Sequence, residues 1–253
     1  MAQIGLHAYI AISLKRKLPK KKWFFLSFIV GSILPDIDAA FTFLSSIFLP
    51  LNKSLNLFHR TFTHNIFIIV IIYLLFLITY EITKKKKYLF IGNGLFLGMS
   101  LHLLIDIFFW FEPIHLFWPL PSNKFNLWNN ITISQWFTRL ILSCEFIFFR
   151  LFAWEMVKII IQAPEKNGHF LKSLNYYMRI QFLFFIACCV YSYWITSNIY
   201  FYIFSLCYIP SILMMFYYLY NLRDSINEFI YLSQDKNSIE NILPKKTPIK
   251  NIQ

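Results

Sequence analysis

Residues 180–222 contain no Lys, Arg, Asp or Glu. A run that long is about twice what one helix needs to cross roughly 30 Å of hydrocarbon. "TSN" at 196–198 offers a turn, so the run reads as two membrane helices, with Pro210 kinking the second. Residues 65–83 are apolar apart from Glu81, and "KKKK" at 84–87 closes them. A helix of that length spans roughly 28 Å. Residues 88–105 are again uncharged, so 88–111 reads as the returning span.

Composition agrees with lipid as the solvent. The chain is 58% hydrophobic and 14% charged, against about 25% charged in soluble domains. Its net charge of +12 comes in clusters that flank apolar segments. Such clusters belong in cytoplasmic loops facing anionic lipid, and they argue against a nucleic-acid partner. Cys144, Cys188, Cys189 and Cys207 all lie in apolar stretches and form no C-x-x-C pair, so neither a disulfide framework nor a thiolate zinc site is expected. Residues 1–14 are uncharged and the basic run follows them, the wrong order for a cleavable signal peptide.

The expected fold is an all-α polytopic membrane helix bundle. It has about five full spans plus two short N-terminal membrane segments, 2–14 and 23–35. Residues 39–50 read as a re-entrant or interfacial piece. Residues 137–157 have helical period but carry Arg139, Glu145, Arg150 and Glu155, which must face protein if the segment crosses. Three regions are expected: 1–125 around a membrane-embedded site, 126–222 as additional membrane helices, and 223–253 as a polar cytoplasmic tail. Gly92, Gly94, Gly98 and Ser100 in one span signal close helix packing.

Orientation follows from the basic clusters. "KRKLPKKK" (15–22) and "KKKK" (84–87) should both be cytoplasmic. Ionisable groups inside the spans are costly and so are candidates for function. They are His7, Asp36 and Asp38 in "LPDID", His59 and His64 in "HRTFTH", and His102 and Asp106 in "HLLID". His102 and Asp106 are four apart and share a helix face. Asp36 and Asp38, beside Pro35, suit a turn presenting two oxygens. Thr63 is the expected cap of the helix after His64. His102 lies fifteen residues past Lys87, about 22 Å of helix, and Asp36 lies fourteen past Lys22, a similar height. His7, eight residues before Lys15, is expected on the same side but lower. Remote segments thus converge at one depth, opposite the lysine clusters. His115 and Glu112 are fringe candidates, and His169 belongs to the other face.

Seven N and O donors without thiolate suit zinc, with manganese or iron as the other choices, as one ion or two. Such a site fits hydrolysis: the metal lowers the pKa of a bound water to about 7. Asp38 or Asp36 would hold or deprotonate that water, and Arg60 would bind phosphoryl oxygens. The competing class is a non-enzyme, a metal transporter or a scaffold with a structural metal site.

His7, "GSILPDID" (31–38), "HRTFTHN" (59–65), "GMSLHLLIDIF" (98–108) and "LFWPL" (116–120) together resemble the YdjM-type family of bacterial inner-membrane metal-dependent hydrolases. Order and spacing agree over about residues 1–125. Thr61 stands where that family often has glycine, and "FEPIH" replaces a glycine after the H-x-x-x-D helix. The resemblance implies a hydrolase of the inner membrane. The leading expectation for its substrate is a lipid or lipid-linked phosphoester, and the lysine clusters put the site toward the extracytoplasmic face. The same order of His and Asp is more distantly similar to zinc-dependent phospholipases C, an analogy at the level of fold.

Overall fold

A computed structural model describes residues 3–50, 53–54, 57, 63–109, 113–120, 125, 127–128, 133–162, 167–195 and 197–229. The described residues form helices and one isolated bridge, between Ile114 and Phe125. We number the helices α1 (Ile4–Ser13), α2 (Phe24–Ile33), α3 (Asp38–Ser46), α4 (Ile66–Thr83), α5 (Lys86–Phe109), α6 (Gln135–Gln162), α7 (Phe170–Trp194) and α8 (Ser197–Asn221). The molecule is an all-α membrane helix bundle, as the sequence requires.

Among the described residues, four helices are long and apolar enough to cross a bilayer: α4, α5, α7 and residues 198–221 of α8. α2 and the following Pro35–Ser46 segment pass the same test together, bent by 43°. The expected short segment 23–35 and the expected re-entrant piece are therefore two arms of one broken element. The cause lies in the sequence, because Pro35 cannot continue the α2 hydrogen-bond ladder. The boundary expected at 196–198 falls between α7 and α8. The surface is apolar on a scale that only lipid accommodates. Ile82 and Trp194 are 78% and 77% exposed, and Ile69 is the one buried residue of α4.

α6 is too charged to join the apolar set, but its charges are matched within the protein. Arg139 donates to Ile195 O. Arg150 donates to Met178 O at 3.2 Å. Glu155 Oε2 pairs with Lys15 at 2.6 Å. Glu145 is fully buried against α1. Phe146, Phe149, Phe152 and Met156 build the main core with residues of α1, α7 and α8.

α2 and α5 approach more closely than side chains permit. A Cβ on Gly98 would fall onto Phe28 O and Ser32 N, and one on Gly94 onto Phe24 O. Gly94, Gly98, His102 and Asp106 recur every four residues, so they line one stripe of α5. The glycine half of the stripe brings two backbones together. The polar half continues it into the space beyond.

Candidate metal centre

Four chain segments meet where that stripe ends. α1 supplies His7, the turn between α2 and α3 supplies Asp36, the first residue of α3 is Asp38, the segment before α4 supplies His64, and α5 supplies His102 and Asp106. All six are buried: the three histidines are 0% exposed and no aspartate exceeds 4%. His59 and Arg60 lie outside the described residues.

His7 and His102 stack with ring centroids 3.8 Å apart, so His7 is level with His102, not below it as the spacing from Lys15 suggested. The reason is that α1 is only ten residues long and turns into a short 3-10 segment, Leu14–Arg16. Its lysine end stops nearer the centre than the lysine end of α5. Three imidazoles and two carboxylates then share one space. His64 Nε2 is 3.3 Å from Asp36 Oδ1 and 3.6 Å from Asp106 Oδ2. His102 Nε2 is 3.7 Å from Asp36 Oδ1 and 3.8 Å from Asp106 Oδ2. His7 Nε2 is 3.2 Å from Asp106 Oδ1 and 3.8 Å from Asp36 Oδ2.

The partners behind the histidines assign their protons. His102 Nδ1 lies 2.8 Å from Ser32 O. A carbonyl only accepts, so Nδ1 carries the hydrogen and Nε2 presents its lone pair. Thr63 donates to Asp38 Oδ2 at 3.2 Å, leaving its oxygen to accept from His64 Nδ1 at 3.0 Å. In the neutral ring, His64 Nε2 then presents a lone pair as well. The two nitrogens face each other at 3.1 Å, with carboxylate oxygens beside them. In that form the electron pairs repel unless a positive charge, a metal ion or a proton, lies among them.

The spacing fits a metal. In a tetrahedral zinc site with bonds of about 2.0–2.1 Å, neighbouring donors lie roughly 3.3–3.4 Å apart. Asp36 Oδ1, His64 Nε2 and His102 Nε2 are separated by 3.1 to 3.7 Å, and Asp106 Oδ2 lies 3.6 and 3.8 Å from the two histidine nitrogens. Two overlapping donor groups result, His7–His102–Asp106 and Asp36–His64–His102. Asp36 Oδ1 is buried and accepts no hydrogen bond, as an oxygen reserved for a cation would be. The buried His and Asp groups are thus able to hold a metal ion.

The two aspartates of "LPDID" have different places. Asp36 turns into the centre, and its Oδ2 accepts from Gln3 N at 2.9 Å. Asp38 lies behind His64, its Oδ2 3.4 Å from Nδ1. Thr63, expected to cap α4, instead joins this pair. The cap is Asn65, whose Oδ1 accepts from Ile68 N at 2.9 Å. His115 belongs to neither donor group, Glu112 is outside the described residues, and His169 is exposed and stacks on Phe170.

Sequence reasoning did not connect the C-terminal helices to the site. The first turn of α1 is buried, so its amides need partners. Asp36 takes Gln3 N, Tyr208 Oη takes Ile4 N at 3.3 Å, and Glu145 takes Gly5 N at 2.5 Å and Leu6 N at 3.3 Å. α6 and α8 thereby fix the helix that carries His7. The available signal was a carboxylate in the middle of an otherwise apolar stretch of α6.

No curated protein and no solved structure matches the chain. The sequence profile of the family described as YdjM inner membrane protein matches residues 2–218. That match runs well beyond the 1–125 stretch whose motifs carry the resemblance, and it takes in the helices that brace α1. The chain belongs to the YdjM inner membrane protein family.

Proposed function

We propose that this chain is a membrane-embedded, metal-dependent hydrolase that cleaves a phosphoester of a lipid or lipid-linked substrate. The observation that carries the reading is the nitrogen-to-nitrogen approach of His64 and His102, flanked by Asp36 and Asp106. A closed hydrogen-bonded core would not set two imidazole nitrogens face to face between carboxylate oxygens. His64, His102, Asp36 and Asp106 would hold one divalent ion, zinc by donor type, or manganese or iron. When bound, the metal polarises a phosphoryl oxygen and lowers the pKa of a water to about 7.

The remaining residues orient and move protons. Ser32 O and the Thr63–Asp38 pair fix the ring orientations of His102 and His64, as outer partners of metal-ligating histidines do. His7 Nε2, between Asp106 and Asp36, is placed to hold a proton against either carboxylate. Asp36 shares the centre with the donors and is better placed than Asp38 to act on a water there. Arg60 remains the proposed cation for phosphoryl oxygens. With the lysine clusters in the cytoplasm, the centre opens toward the extracytoplasmic side, where the substrate is an outer-leaflet or lipid-linked phosphoester.

One observation favours a second reading. Asp36, His64 and His102 form one fully buried donor group beside Asp106, and burial of the whole donor set is what structural sites have. A transporter or a structural metal protein would have that feature. Purified protein should be assayed on a panel of phosphodiesters and phospholipids, in parallel with metal uptake into proteoliposomes. Hydrolysis that Asp36→Asn abolishes supports the enzyme. Uptake without hydrolysis supports the transporter and contradicts the proposal.

A further inference from the structure

At the opposite end of α1 from His7, a cavity of about 520 Å³ opens between α1, α6 and the last described segment. Ser13, Lys15, Arg16, Glu155, Lys158 and Phe229 line it. Three cations face one carboxylate. Glu155 uses both oxygens to arrange two of them: Oε2 holds Lys15 Nζ and Oε1 holds Lys158 Nζ, each at 2.6 Å. An ammonium has three donors, so each lysine keeps N–H groups free for a further acceptor while its position is fixed. Lys15 also sits over the Phe229 ring, 5.4 Å from its centroid. The Arg16 guanidinium has no hydrogen-bond or ion-pair partner among the described residues. It presents the planar fork suited to a phosphate.

Depth narrows the ligand. His7 and His102 are level. Lys15 lies eight residues from His7, about 13 Å along the chain, whereas Lys87 lies fifteen from His102, about 22 Å. By contour length the cavity is set back about 10 Å from the Lys84–Lys87 loop, a level suited to headgroups and not open solvent. Its wall is mixed: cations at the rim, with Phe229 and Ile161 beneath them.

We propose that this cavity binds the phosphate group of an anionic lipid headgroup. It is a site separate from the metal centre, at the other end of α1. α1 is held at its first turn by Glu145, and the 3-10 segment that follows it is held by Glu155 through Lys15, both from α6, so a headgroup bridging Arg16 and Lys158 would tie the pair together a third time.

The test is thermal unfolding of the purified full-length chain in non-ionic detergent, followed by tryptophan fluorescence. The probes are short-chain phosphatidic acid, short-chain phosphatidylcholine and inorganic phosphate. Arg16→Gln and Lys158→Gln are suitable variants, because Arg16 has no partner to lose and Lys158 is exposed. Phosphatidic acid is expected to raise Tm of the parent by several degrees, with at least half of the shift lost in either variant and all of it in the double variant. A comparable rise with inorganic phosphate alone supports a phosphate site and assigns it a soluble ligand. Equal shifts in parent and double variant, or equal shifts with phosphatidylcholine, would overturn the proposal.

Discussion

His64 and His102 face each other through their Nε2 atoms at 3.1 Å, and each has its Nδ1 hydrogen directed away, to Thr63 and to Ser32 O. With both rings neutral, neither nitrogen has a hydrogen to share. The contact makes physical sense with a cation between them, and that cation is the premise of the predictions below.

His102→Ala or Asp106→Ala should each lower bound metal at least tenfold while the protein still inserts, because one donor is lost from α5 and its packing stripe of glycines is untouched. Metal content by elemental analysis of membrane-purified protein checks this. Full occupancy in both variants would remove them from the site.

Asp36 and Asp38 should separate. Asp36→Asn removes a central oxygen and should abolish tight binding. Asp38→Asn loosens His64 from behind and should weaken affinity about 10- to 100-fold, the range for outer partners of metal ligands. Titration with a competing chelator measures both. Equal effects would contradict the division of roles.

Gly98→Val should separate α2 from α5. Overpacking at a tight contact costs about 1–3 kcal/mol, and the displaced α5 would lose the hydrogen bond from His102 to Ser32 O. The expected result is a lower Tm together with weaker metal binding. Unchanged values of both would show that the glycine contact does not position the centre.

Glu145→Ala should act at a distance. It leaves two buried amides of α1 without acceptors, at a cost of about 1–3 kcal/mol each, and frees the helix that carries His7. Thermal unfolding should show the loss, and Glu145→Gln, which keeps one acceptor oxygen, should recover part of it. No difference from the parent would argue that α6 is not a brace for α1.

Sidedness follows from the lysine clusters. In a background lacking Cys144, Cys188, Cys189 and Cys207, a cysteine placed at Lys85 should resist a membrane-impermeant maleimide in intact cells, and one placed at Asn123 should react. The reverse pattern would invert the orientation and the substrate pool.

Much of this was legible in the residues. Uncharged runs marked α4, α5, α7 and α8, because lipid leaves a strong compositional trace. The i and i+4 spacing of His102 and Asp106 gave their common face, and equal distances from lysine anchors placed Asp36 and His102 at one depth. Depth failed for His7, since the argument assumed that every lysine cluster sits at the same level, and α1 ends short. Chain position alone did not separate Asp36 from Asp38, because which of two nearby side chains turns inward depends on the 3-10 turn at Pro35–Ile37. The contribution of Glu145 and Tyr208 was hidden for a similar reason: a partner for a buried helix end comes from packing, which has no local signature.

The central claim is that the His and Asp cluster holds one divalent metal. Elemental analysis of the purified chain, set against its His64→Ala/His102→Ala double variant, tests it most directly. The account predicts about one ion per chain in the parent and essentially none in the double variant. An equal metal content in the two proteins, or a parent that takes up no metal when zinc, manganese or iron is supplied, would contradict it.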